Sequence, residues 1–193
     1  MRRQPVSLLF GLSLAILASG GESLAQSIDI FGNAVPKNPT GGGTKVTLGV
    51  KFWTSQSGTI SGIRFFRAAV SANGYVAKLY SAGGVLLGSA RLAHESGSVP
   101  GWQVANFASP IPISANTTYV ASYYSAAGQG AGDPHELKTG VAQGPLTAPA
   151  SSAVGGNGAY SSKNVSPKSS YEASNYYVDV SFVPTEAALT LQL

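Results

Sequence analysis

Apolar side chains return at every second position along most of this chain, whereas the three- and four-residue spacing of a helix is nearly absent. In Thr-Lys-Val-Thr-Leu-Gly-Val-Lys-Phe-Trp, the residues Val46, Leu48, Val50 and Phe52 share one face, and Lys45, Thr47, Lys51 and Trp53 share the other. The same pattern sets Ile63 and Phe65 against Arg64 and Phe66, with Gly62 as an expected bulge. Near the end it sets Val178, Val180 and Phe182 inward against Tyr177, Asp179 and Ser181, and Pro184 closes the run. Ala82-Gly83-Gly84 reads as a hairpin turn, because glycine supplies the positive φ such loops need. Pro110 and Pro112 mark an edge strand or a crossing between sheets, and Trp102, aligned with Val104, is expected inside. Strands about ten residues apart, punctuated by Gly, Pro, Asn and Ser, predict an all-β chain. The expected architecture is a two-layer antiparallel β-sandwich, immunoglobulin-like or jelly-roll-like.

The two ends read differently. Residues 1–25 carry Arg2 and Arg3, an apolar run from Leu8 to Ala18, and Ser23-Leu24-Ala25 before a cut expected ahead of Gln26. That is the pattern of a cleaved secretory signal peptide, and its apolar run is shorter than the roughly 20 residues that span a bilayer. No integral membrane segment is expected in the mature chain, whose location is then periplasmic, extracellular or at the cell surface. One β-sandwich domain is expected over 28–184, and 185–193 is a tail. With no cysteine in the chain, the hydrophobic core must supply the stability that small exported domains often draw from disulfides.

Charged residues make up 10% of the chain with a net charge of +4, and Lys45, Lys51, Arg64, Arg67 and Lys78 are spread singly. A nucleic-acid partner, which calls for clustered positive charge, is therefore set aside. Carboxylates are few, Asp29, Glu95, Asp133, Glu136, Glu172, Asp179 and Glu186 after the cut, and no motif pairs them as a glycosidase requires. A hydrolase is the remote alternative, and no Gly-x-Ser-x-Gly elbow is present. Asp133, His135 and Glu136 lie within four residues, but Asp-Pro is a turn starter and metal-loop spacing is missing, so no metal and no cofactor is expected. Asp179 is expected to pair with a Lys or Arg across the sheet.

Aromatic residues are the better lead. Tyr119 follows Ala115-Asn116-Thr117-Thr118 at the start of a strand, where sandwiches place a tyrosine whose hydroxyl bonds back to upstream backbone. It is expected to be structural, with Ala121 and Tyr123 on its face. Trp53, Tyr124 and Tyr177 fall on outward faces, and Tyr160 and Tyr171 fall in the irregular stretch 126–175. These five are the candidate ligand-binding residues, since exposed rings offer platforms for the apolar faces of sugars. The competing expectation is that the long stretch folds over them as a satellite core.

The blocks "FGNAVPK", "LGVKFWTSQSGTISGIRFFR", "GVLLGSARL", "GWQVANFASPIPISANTTYVASYY", "GPLTAP" and "NYYVDVSF" together resemble the bacterial domain-of-unknown-function family 4082, from Phe31 to Phe182. The resemblance implies a secreted β-sandwich, often a module of large extracellular bacterial proteins beside polysaccharide-active or adhesive parts. It implies no catalytic residues. Residues 159–170 depart from the family's more aromatic version of that loop. The expected function is a non-catalytic binding or adhesion domain for extracellular or cell-envelope polysaccharide. The alternative is a structural or surface-assembly component that docks an extracellular protein partner.

Overall fold

The computed structural model describes residues 26–37, 39–40, 43–69, 74–92 and 99–185. The expected signal peptide, His94, Glu95 and the tail from residue 186 lie outside them. The strands run β1 (Pro39–Thr40), β2 (Val46–Thr54), β3 (Gly58–Arg67), β4 (Tyr75–Ser81), β5 (Leu86–Leu92), β6 (Gly101–Ile113) and β7 (Tyr119–Ser125). Short ones follow: β8 (Gly130–Ala131), β9 (Val141–Gln143), β10 (Leu146–Ala148), β11 (Ala159–Ser161) and β12 (Ser169–Ser170), before the long β13 (Val178–Pro184).

Two antiparallel sheets face each other. One has the order β12-β11-β2-β7-β4-β5, with β10 and β9 continuing from β2, and the other has the order β13-β3-β6. Between them lie Val50, Phe52, Ile60, Ile63, Phe65, Leu79, Val180 and Phe182, all 2% exposed or less. Each such side chain stabilises the fold by about 1.5–3 kcal/mol. Phe65 of β3 stacks on Tyr123 of β7 at 4.4 Å between ring centroids, which fastens one sheet to the other. Numbered along the chain, the seven long strands among the described residues divide as first, sixth, third and fourth against seventh, second and fifth. An immunoglobulin domain divides its strands otherwise, as ABED against CFG.

Local chemistry sets the corners. The ladder between β3 and β6 shifts register between Ile60 and Gly62, a bulge where a Cβ on Gly62 would stand 2.8 Å from the Ala105 carbonyl oxygen. The Gly84 N–H closes the β4–β5 turn onto the Ser81 carbonyl at 2.9 Å, with Gly84 at φ +89°. β6, which carries Pro110 and Pro112, is the edge of its sheet among the described strands. At the head of β7 the Tyr119 hydroxyl accepts the Ser114 N–H at 3.0 Å, the corner bond its position predicts.

Both sheets carry a further cover. The N-terminal segment pairs with β13 at Ile28 and Phe182, then crosses the outer face of β13-β3-β6. Asp179 holds it there: its Oδ1 accepts the Ile30 N–H and its Oδ2 the Phe31 N–H, both at 2.8 Å. Asp179 does pair across the sheet, with Arg64 Nη1 3.4 Å from its Oδ2, but it is wholly buried beneath the segment instead of outward in solvent. Burial pushes its carboxyl up to about 6, against the pull of the Ile30, Phe31 and Val180 amides. Trp102 is likewise on this outer face and only half-buried. Its Nε1–H donates to the Ala34 carbonyl at 2.8 Å, and the Arg64 guanidinium lies 4.0 Å from its ring centroid. The inward positions of β6 are Gln103, Ala105 and Phe107, one residue out of step with the expected Trp102 and Val104.

Candidate functional site

The stretch 126–175 folds over the outer face of the first sheet, and polar side chains of that sheet hold it. β10 pairs with Trp53 and Thr54, and β11 pairs with Thr47, Leu48 and Gly49, which leaves Lys51 between the two ladders. Asn157 fills the gap: its Oδ1 accepts the Lys51 N–H at 2.8 Å and its Nδ2 donates to the Lys51 carbonyl at 3.0 Å. Thr47 Oγ1 donates to the Lys163 carbonyl at 2.7 Å, Lys51 Nζ to the Val154 carbonyl at 2.7 Å, and Lys78 Nζ to the side chain of Asn164 at 2.7 Å. Burial lowers the pKa of Lys51 and Lys78.

Where this cover meets the start of β2, it leaves a groove of about 440 Å³. Gly128, Gly130 and Gly132 line one side, Thr44, Val46 and Leu48 another, and Tyr171 and Tyr176 stand at the rim with Ser174. The glycines let the chain come close: a Cβ on Gly130 would stand 2.5 Å from Leu48 Cδ1, and one on Gly132 would stand 2.9 Å from the Tyr176 ring. Tyr176 touches Tyr160 edge to face, with centroids 6.5 Å apart. Tyr160 in turn borders two further hollows, of about 360 and 390 Å³. The first shares Thr44 and Val46 with the groove, and the two share Tyr160, Ser161 and Ser169. Each volume falls in the usual range for small-ligand sites, roughly 300–1,000 Å³.

The five expected ligand-binding residues separate. Tyr171 is 58% exposed at the groove, and half-buried Tyr160 joins it through Tyr176. Tyr124 is half-buried beside Arg91 and Asn164 in a separate hollow. Trp53 is half-buried on β2, in register with Thr147 of β10, and lines none of the groove and its two neighbouring hollows. Tyr177 is the correction. It lies on the expected outer side of its sheet but is only 4% exposed, packed with Phe66, Trp102 and Ala131. Its hydroxyl donates to Asp133 Oδ2 at 2.6 Å, and burial, followed by that bond, raises its pKa. Alternation identified its face without showing what lies on top.

Tyr176, at the groove, and Lys163 and Lys168, which line the two hollows beside it, fall outside the five expected residues, although Tyr176 sits in the quoted Asn-Tyr-Tyr block. Tyr176 lines the groove, while the next residue, Tyr177 at φ +50°, packs with Phe66 and Trp102. The Asp133-Pro134-His135-Glu136 cluster is divided among other duties. Asp133 Oδ2 accepts the Lys37 N–H at 2.8 Å as well as the Tyr177 hydroxyl, and Glu136 takes Lys37 Nζ at 2.7 Å. Among the described residues, no three His, Asp or Glu side chains gather as a metal site would require.

Fold and groove define an all-β sandwich domain with a tyrosine-rimmed surface cleft formed by its own long loop. The domain-of-unknown-function family DUF4082 matches residues 33–178, and the chain belongs to that family. No curated protein matches the chain. Among the described residues no helix is long and apolar enough to cross a membrane.

Proposed function

We propose that this chain is a secreted, non-catalytic binding domain whose ligand is an extracellular or cell-envelope polysaccharide. The observation that carries the reading is Tyr171, a large ring 58% exposed at the rim of a groove lined by glycine backbone. Such a ring receives the apolar face of a sugar, while nearby hydroxyls and backbone amides take its polar edge. Thr44, exposed in the groove lining, offers a hydroxyl for that second role. The export pattern of residues 1–25 supports a periplasmic, extracellular or cell-surface location in a bacterium.

The test is a polysaccharide array probed with the purified protein, with and without calcium. Specific hits that Tyr171→Ala weakens about tenfold, on the order of 1.4 kcal/mol, support the reading. An array blank in both conditions defeats it. A second reading, assembly with protein partners, draws on the β4–β5 hairpin, where Val85 is 65% and Leu86 50% exposed. There β5 pairs only with β4 among the described strands, and an open edge with apolar side chains invites strand addition.

A further inference from the structure

The groove's neighbours differ from it in charge. Lys45 and Lys163 line one of the two hollows that Tyr160 borders, and Lys168 lines the other. All three lysines are exposed, and no Asp or Glu lines the groove or either hollow among the described residues. The nearest acid in the sequence is Glu172, which follows Tyr171 and is exposed. Lys51 and Lys78 are spent on loop carbonyls and Asn164, and Lys37 is spent on Glu136. Among the described residues no such bond occupies the ammonium of Lys45, Lys163 or Lys168. Ser161, Ser162, Ser166 and Ser169 add hydroxyls beside them.

We infer that the ligand is an acidic polysaccharide, a chain of sugar units bearing carboxylates, laid from the Tyr171 groove past Tyr176 and Tyr160 so that Lys45, Lys163 and Lys168 meet its acid groups. This rests on the glycan-binding reading and deepens it. Rings give the platforms and take no account of charge. Cations in both hollows that one ring borders suit a polymer with one carboxylate per sugar, which carries an acid group wherever it passes a platform. The compact ammonium of lysine also keeps its hydration in such open sites, so selection operates through charge with little geometric demand. Charge selection in open hollows must weaken with salt, because exposed ion pairs in water are screened by added ions.

One polymer tests this with its backbone held constant. Polygalacturonate and its highly methyl-esterified form differ in carboxylate charge, and binding of the purified protein to each is measured by calorimetry at low salt and at a salt concentration of about 0.5 M, where screening is strong. The expected result is at least roughly tenfold tighter binding of the free-acid polymer at low salt. That preference falls several-fold at high salt and in Lys163→Glu/Lys168→Glu. Circular dichroism and thermal melting of the double variant show whether it is folded, and Lys163→Gln/Lys168→Gln supplies a neutral counterpart. Equal binding of the two polymers overturns the inference and leaves the glycan reading standing. Binding of neutral glucans, xylans or mannans alone has the same meaning. Failure with every glycan defeats both. If heparin and polyglutamate bind as tightly as polygalacturonate and Tyr171→Ala changes nothing, the lysines attract polyanions at large and the inference fails.

Discussion

The side-chain amide of Asn157 takes both backbone groups of Lys51, the N–H at 2.8 Å and the carbonyl at 3.0 Å, and so continues a β-ladder with a side chain. It stands where β10 and β11 each stop pairing with β2, and the same Nδ2 also donates to the Pro149 carbonyl at 2.9 Å. This junction holds the loop to the sheet.

Asn157→Ala is therefore expected to cost about 2–4 kcal/mol, since it leaves buried backbone groups of Lys51 without partners. Urea unfolding of variant and parent measures it. Asn157→Asp keeps the acceptor toward Lys51 N–H but loses the donor, and a stability equal to the parent's speaks against the ladder role.

Asp179 gives a pH dependence with a definite sign. Its folded value of about 6 lies above that of an unfolded aspartate, so the folded chain holds the proton more tightly. The stability contributed is full below about pH 4 and is lost as pH rises through 6, by about 3 kcal/mol in all. Asp179→Ala removes this dependence and strips the Ile30 and Phe31 amides of their acceptor. The stability gap between parent and variant is expected to widen as pH falls from about 7.5 to about 4.5, the window that brackets the folded value. Hydrogen exchange at Ile30 and Phe31 is expected to quicken in the variant. A gap independent of pH contradicts the raised value.

These two sites show what the sequence made legible. The seven long strands, the Gly62 bulge, the hairpin at Gly83-Gly84 and the Tyr119 corner all follow from local rules that act within a few residues. The covers do not. Asp179 is buried by a segment some 149 positions away, and Asn157 reaches Lys51 across 106. Period-two alternation says which side of a sheet a residue takes and nothing about a third layer. Tyr177 and Asp179 therefore take the outer side that alternation predicts and are buried there all the same, while the loop residue Tyr171 is exposed.

Tyr171 and Tyr177 should separate binding from folding. Tyr171→Ala removes an exposed ring and is expected to change stability by no more than about 0.5 kcal/mol. Tyr177→Phe leaves Asp133 short of a hydrogen bond and is expected to cost about 1–3 kcal/mol while leaving glycan affinity unchanged in the folded protein. Thermal melts and calorimetry on both variants decide the matter. A Tyr177→Phe protein that is fully stable but fails to bind reverses the assignment.

The last prediction concerns the tryptophans, which stand apart from the groove. Trp102 is held under the N-terminal segment by Ala34 and Arg64, and Trp53 sits on β2 beside β10. Neither lines the groove or the two hollows next to it. A glycan bound along Tyr171, Tyr176 and Tyr160 is thus expected to leave tryptophan emission unshifted even when calorimetry reports saturation. Trp53→Phe is expected to bind as the parent does. A blue shift on binding that disappears in Trp53→Phe moves the sugar platform to the outer face of β2, where a half-buried ring is the one aromatic surface that strand presents to a ligand.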